Sequence, residues 1–157
     1  MTKDNYFHII FFNLFLSILF FSSSSLGEEK KNFLSLKNNE VNLRQGPSFE
    51  YPIKLTYNKK YLPVEILDKS ETWRKIKDCE NNSGWIHVSQ LSKKETAINI
   101  KKYSVIYKKP TIYSKPLVKL EIGRLVLIKK CQFKWCKVTS GEYKGWIFKN
   151  YLWGKIK

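Results

Sequence analysis

Few residues of this chain could carry nucleophilic or acid–base chemistry. Cys79 and His87 could form a nucleophile–base pair, but a cysteine hydrolase also needs an orienting third group, and both residues fall in one short stretch. Paired carboxylates for glycoside cleavage could come from Glu65, Asp68, Glu71, Asp78 and Glu80. Most of these alternate with lysines, as on a solvent-exposed face. The sequence also lacks a phosphate-binding glycine loop, His-Glu-x-x-His and Cys-x-x-Cys. It therefore predicts a protein that is not an enzyme.

The three cysteines suggest a structural rather than a catalytic use. If 124–130 pairs with 135–139 as a hairpin, Cys131 and Cys136 face each other near its tip, within disulfide range. Free thiols and a metal site are the alternatives, although zinc takes four ligands and no histidine lies nearby. We predict a Cys131–Cys136 disulfide and no metal or other cofactor. Cys79 is then a small, partly buried residue or the site of an intermolecular bridge.

The chain repeats itself with a period of about 61–64 residues. Trp73-Arg-Lys-Ile76 matches Trp135-Cys-Lys-Val138, Gly84-Trp85-Ile86 matches Gly145-Trp146-Ile147, and Val41-Asn-Leu-Arg44 matches Val105-Ile-Tyr-Lys108. Within each copy, Val, Ile, Leu, Tyr and Trp alternate with Lys and Glu over short runs, which predicts β-strands. Five short strands in about 55 residues cannot form a broad open sheet, whereas a small barrel buries one face and covers its edges. We predict an all-β chain with two tandem barrels, at 33–92 and 102–154, joined by a polar linker at about 92–101.

Residues 1–27 are typical of a secretory signal peptide. The apolar run at 9–21 is shorter than the roughly 20 residues that span a bilayer, and Ser25 and Gly27 precede a predicted cleavage site before Glu28. An uncleaved anchor is the alternative. We expect an exported protein, periplasmic or secreted and not attached to the membrane after cleavage, and such a location permits a disulfide.

The formal net charge is +16, from 29 Lys and Arg against 13 Asp and Glu. Lysine outnumbers arginine by 26 to 3, which fits either an AT-rich genome or a surface for polyanions. Lysine is a flexible point charge without the planar fork of arginine. A lysine excess therefore favours weak, non-specific attraction over specific nucleic-acid recognition.

The repeated motifs resemble the bacterial SH3-like (SH3b) domain family. The resemblance rests on Val41-Asn-Leu-Arg-Gln-Gly-Pro-Ser48, Trp73-Arg-Lys-Ile76 and Gly84-Trp85-Ile86, and on Cys131, Trp135-Cys136, Gly145-Trp146 and Leu152-Trp153-Gly154 in the second copy. It covers about 33–154 and is similar to exported proteins with two such domains in tandem. The second copy departs from the pattern where Lys-Lys-Pro110 stands in place of Gly-Pro-Ser.

Aromatic residues mark a candidate ligand groove. Trp73 and Trp135 lie three residues before Ile76 and Val138, so they point outward if Ile76 and Val138 point inward. The resemblance to SH3 domains implies that these tryptophans line a groove, completed in the second copy by Phe148, Tyr151 and Tyr107. The alternative is that these aromatics cap a thin core. Trp85, Trp146, Gly84 and Gly145 are expected to be structural.

Signal, repeat and groove together indicate a non-enzymatic exported binding module. Its expected partner is cell-wall peptide or an envelope protein, and not a specific nucleic acid. A structural or assembly protein of the envelope and a non-specific polyanion binder are the alternatives.

Overall fold

The computed structural model describes residues 31–156, so the predicted signal peptide at 1–27 lies outside the described residues. Two groups of strands follow one another along the chain. Barrel 1 consists of β1 (Asn32–Leu36), β2 (Val41–Arg44), β3 (Ile53–Tyr57), β4 (Pro63–Ser70), β5 (Trp73–Lys77), β6 (Ser83–His87), a 3₁₀ turn (Val88–Gln90) and β7 (Leu91–Ser92). Barrel 2 consists of β8 (Thr96–Asn99), β9 (Ser104–Tyr107), β10 (Pro116–Leu120), β11 (Leu125–Gln132), β12 (Trp135–Ser140), β13 (Tyr143–Phe148), a 3₁₀ turn (Lys149–Tyr151) and β14 (Leu152–Gly154). Across this described part, no helix is long and apolar enough to cross a bilayer.

The two barrels share one topology. The strand order is β3-β2-β6-β5-β4-β1-β7 in barrel 1 and β10-β9-β13-β12-β11-β8-β14 in barrel 2, so adding seven to each label converts one order into the other. Each barrel therefore has seven strands where the sequence suggested five. The prediction of an all-β chain with two tandem SH3-like domains is confirmed.

Alternation along the strands gives each barrel its own core. Val41 and Leu43 of β2 are buried while Asn42 is partly exposed, and Cys136 and Val138 of β12 are buried while Lys137 is exposed. The barrel 1 core contains Leu36, Val41, Leu43, Tyr57, Leu62, Val64, Ile76 and Ile86. The barrel 2 core contains Ala97, Ile106, Leu120, Val126, Ile128, Cys136, Val138, Ile147 and Leu152.

Strand pairing corrects the sequence alignment of the two copies by one residue. Arg44 pairs with Trp85 and Tyr107 pairs with Trp146, so Arg44 corresponds to Tyr107 and not to Lys108. The apolar match of Val41 with Val105 suggested the other register. In the structure, Ser104 takes the buried position of Val41.

Trp73 and Trp85 are 12 residues apart, whereas Trp135 and Trp146 are 11 residues apart. The turn that follows the strand of the first tryptophan explains this difference. In barrel 1 the Asp78 carboxylate accepts hydrogen bonds from the Glu80 and Asn82 backbone amides, at 2.9 and 2.8 Å, and from the Tyr57 hydroxyl at 2.9 Å. Barrel 2 makes a tighter turn through Gly141, whose φ of 57° suits glycine.

The segment predicted as a linker at 92–101 contains a strand. β8 pairs with β11 and β14, so the sheet of barrel 2 begins at Thr96 and not at residue 102. All four residues of β8 are buried because the strand lies between the two cores: Ala97 faces barrel 2, and Ile98 belongs to the barrel 1 core. The Phe33 and Trp153 rings meet edge to face at 5.0 Å, and the two barrels therefore pack against each other.

Candidate ligand-binding site on barrel 2

Four aromatic side chains predicted to line a groove lie together on barrel 2, and we call them the aromatic cluster: Tyr107, Trp135, Phe148 and Tyr151. Trp135 and Phe148 are cross-strand partners whose rings stack at 4.0 Å between centroids. Tyr107 stands perpendicular to Trp135 at 5.8 Å, and Tyr151 lies 5.4 Å from Phe148. All four are partly exposed, so the cluster forms an aromatic surface that water or a ligand can reach.

A hairpin and a disulfide position Trp135 in this cluster. Cys131 on β11 faces Cys136 on β12 with 4.0 Å between Cα atoms, and the two form the predicted disulfide, which is confirmed. Because neighbouring residues of a strand point to opposite faces, burying Cys136 in the core turns Trp135 outward. The cross-link therefore holds the strand end that presents the tryptophan.

A glycine lets β9 bring Tyr107 to the cluster. A Cβ atom on Gly145 would collide with the Tyr107 carbonyl oxygen and the Ile106 side chain. Gly84 is under the same constraint in barrel 1, where its Cβ would lie 2.6 Å from the Arg44 carbonyl oxygen. Beside these glycines, Trp146 is only 8% exposed and Trp85 is partly exposed. Such contacts fit the structural role expected for both Gly-Trp pairs.

The equivalent surface of barrel 1 is covered, so Trp73 does not form the open groove residue that the sequence suggested. Trp73 is 6% exposed, because Phe49 packs on it at 4.9 Å and His87 at 5.3 Å. Phe49 comes from the loop between β2 and β3, and the Arg44 guanidinium lies over its ring, 5.7 Å from the centroid. The loop of the same length in barrel 2 carries Ile112 at this position, more than half exposed.

The two residues considered as a nucleophile–base pair make contacts within barrel 1. His87 contacts the Trp73 and Phe49 rings, and its Nδ1 lies 2.8 Å from the Ser89 hydroxyl at the start of the 3₁₀ turn. Cys79 packs against the barrel 1 core, where burial and then the Asp78 charge raise the pKa of its thiol. A raised pKa disfavours the nucleophilic thiolate.

Two of the five carboxylates are buried, contrary to the solvent-exposed positions expected from the sequence. Asp78 holds its turn together, and Glu65 lies 3.5 Å from Lys77 and 3.9 Å from Lys31. Both are occupied by partners within barrel 1. Between residues 31 and 156, no three His, Cys, Asp or Glu side chains come together in a way that could hold a metal ion.

Comparison with protein families agrees with this architecture. A family model for the bacterial SH3 domain matches twice, at residues 37–93 and 101–154. No curated protein gives a significant match. Similar solved structures include NlpC2 from Trichomonas vaginalis, with 15% identity over 82% of this chain and 50% of that chain and a TM-score of 0.37. Another is an NlpC/P60 family protein from Bacillus cereus, with 13% identity over 78% of this chain and 56% of that chain and a TM-score of 0.36.

The present chain spans about half the length of those two proteins. The two family matches cover most of the described residues and leave no segment of a size that could form a separate catalytic domain there. Both copies of the motif, their shared strand order and the family matches lead to one conclusion. The chain belongs to the bacterial SH3 domain family.

Proposed function

We propose that this protein is an exported, non-enzymatic binding module that recognises cell-wall peptide through the aromatic cluster of barrel 2. The observation that carries the proposal is the open cluster around Trp135, beside a barrel 1 in which the same surface is covered. Partly exposed aromatic rings provide a large contact area at a low cost in side-chain entropy. The family and the disulfide support a location outside the cytoplasm.

The test is co-sedimentation of the oxidised predicted mature protein, residues 28–157, with purified cell-wall sacculi at low and raised salt. We expect retention that survives raised salt and falls about tenfold or more in Trp135→Ala, as for a central aromatic contact. Tyr103→Ala is the matched control, because Tyr103 is an exposed aromatic of barrel 2 outside the aromatic cluster. Equal retention of wild type and Trp135→Ala would contradict the proposal.

A structural role in the envelope is the second candidate, and the packing of the two barrels through β8 favours it. Two barrels joined in this way give a rigid block suited to assembly with an envelope protein. Sedimentation velocity distinguishes this role, since self-association that is independent of salt and unaffected by Trp135→Ala would favour it over wall binding.

A further inference from the structure

The net positive charge is concentrated in barrel 2. Residues 32–92 contain nine Lys or Arg and seven Asp or Glu, whereas residues 96–154 contain thirteen Lys or Arg and two Asp or Glu. Barrel 1 is therefore close to neutral and barrel 2 carries a net charge of +11. A general lysine excess in the genome would raise both barrels alike, so it does not account for this difference.

Part of this positive charge lies beside the aromatic cluster, in a row of facing residues that runs across four neighbouring strands. Lys130 on β11 faces Lys137 on β12, Lys137 faces Trp146 on β13, and Trp146 faces Tyr107 on β9. Lys137 lies two residues after Trp135 on the same strand face, about 7 Å along the strand. The Lys130 ammonium lies 5.7 Å from the Trp146 ring. A basic row thus directly adjoins the ring pair of Trp135 and Phe148.

The same row in barrel 1 carries one net positive charge instead of two, because it includes an acidic residue and because Arg44 takes the position of Tyr107. Asp68 occupies the position of Lys130 and faces Lys75, which corresponds to Lys137. Opposite charges on facing residues stabilise a sheet, and like charges on facing residues destabilise it. Barrel 2 therefore keeps a facing lysine pair where barrel 1 has an opposite-charge pair, while the like-charge pair of barrel 1, Lys69 and Arg74, lies at the neighbouring position. Glu65 of barrel 1 also forms ion pairs with Lys77 and Lys31.

Two further acidic positions of barrel 1 are aromatic in barrel 2. Glu71 at the β4–β5 turn corresponds to Phe133, and Glu50 corresponds to Tyr113. Phe133 is 97% exposed and Tyr113 is 93% exposed. Both Glu71 and Phe133 have a positive φ, of 45° and 49°, so the two turns share this backbone conformation. Aromatic rings in full contact with water bury no apolar area and therefore add little to folding.

We propose that this face of barrel 2 binds an anionic ligand, namely wall peptide whose free carboxylates contact Lys130 and Lys137 while its apolar parts contact the aromatic cluster. The inference rests on the proposed function. It adds that binding requires the peptide carboxylates, which contact these two lysines and not barrel 1. Nucleic acid fits less well. Phe148 covers one face of Trp135 and Tyr107 stands perpendicular to it, which leaves a nucleobase little free ring face to stack on.

The experiment compares native sacculi with sacculi whose peptide carboxylates have been converted to amides, using the oxidised 28–157 protein. We expect amidation to weaken retention about tenfold, and Lys130→Gln/Lys137→Gln to weaken binding to native sacculi by a similar factor, as for two exposed charge contacts. The matched control is Lys69→Gln/Lys75→Gln, which removes two charges from exposed lysines of barrel 1 and should change retention less than about twofold. The Lys130 and Lys137 variant should melt no earlier than wild type, because it removes a like-charge pair.

Each other result has a defined meaning. If native and amidated sacculi are retained equally while Trp135→Ala still loses binding, the carboxylate inference is wrong and the proposed function stands. If the barrel 1 control loses as much as the barrel 2 variant, binding follows net charge and the inference is overturned. If poly(U) RNA binds more tightly than sacculi through Lys130 and Lys137, the ligand is nucleic acid instead. If wild type is not retained on native sacculi at all, the proposed function and this inference fall together.

Discussion

Barrel 1 and barrel 2 share a strand order, yet they treat the tryptophan at the start of the fifth strand of each barrel in opposite ways. In barrel 1, Phe49 and His87 enclose Trp73 and make it part of the fold. In barrel 2, Trp135 stacks on Phe148 at the surface and remains partly exposed. The same residue in the same topological position is thus buried in one barrel and partly exposed in the other.

A repeat can thus preserve its backbone fold while its two copies differ in surface properties. Barrel 1 contributes a buried tryptophan and a net charge close to zero, while barrel 2 has an open aromatic cluster, a disulfide and most of the net positive charge. Exposed aromatics and facing like charges do not stabilise barrel 2, and the disulfide beside them offsets part of that cost. Three measurements test this contrast between the barrels.

The largest effect is expected from removing the two tryptophans one at a time. Trp73→Ala should lower the free energy of unfolding by about 3–5 kcal/mol, as for a buried large aromatic residue. Trp135→Ala should lower it by only about 1 kcal/mol, because it loses mainly the ring contacts with Phe148 and Tyr107. Urea unfolding followed by circular dichroism gives both values. If the two substitutions cost the same, Trp135 supports the core and the contrast between the barrels fails.

The disulfide should give the next largest effect, and only in barrel 2. Cys131 and Cys136 close a short loop, for which the chain-entropy model gives about 2 kcal/mol, and the equivalent facing pair in barrel 1 is Lys69 and Arg74. Reduction should lower the stability of wild type by about this amount and increase amide hydrogen exchange in β11 and β12 before β4 and β5.

Cys79→Ala provides the control for the reduction experiment. This variant should respond to reduction as wild type does, since Cys79 is the free cysteine of the described residues. Unchanged stability after thiol counting has shown full reduction would mean that the cross-link does not stabilise barrel 2.

The sequence was sufficient wherever a short pattern determines the structure. The spacing of Cys131 and Cys136 around a hairpin turn predicted their pairing, and the alternation around Trp135 predicted its outward orientation. These features depend on residues that are close in the chain and on the two-residue period of a strand. The aromatic cluster followed from the same period together with the family resemblance.

Contacts between distant segments could not be predicted in this way. Trp73 obeys the same alternation as Trp135, but Phe49 from a loop more than 20 residues away covers it. β8 is buried on both faces between two cores, so it shows no alternation, and its flanking lysines suggested a linker. In both cases the tertiary environment, and not the local pattern, decides burial.

The smallest effect concerns a buried phenol that barrel 1 has and barrel 2 lacks. Burial and the charge of the Asp78 carboxylate raise the pKa of Tyr57 well above its ordinary value near 10, and that carboxylate also accepts a hydrogen bond from the Tyr57 hydroxyl. Leu120 takes the position of Tyr57 in barrel 2. Because the pKa of Tyr57 is higher in the folded than in the unfolded protein, its contribution to folding stability is fully present below pH 10 and is lost as the pH rises further. Between pH 9 and pH 11, wild type should lose about 1.4 kcal/mol more stability than Tyr57→Phe. The variant is a matched control because it retains the lysines and Cys79, which also titrate in this pH range. Urea midpoints at both pH values test this, and parallel losses in the two proteins would show that the phenol ionises freely in the folded state.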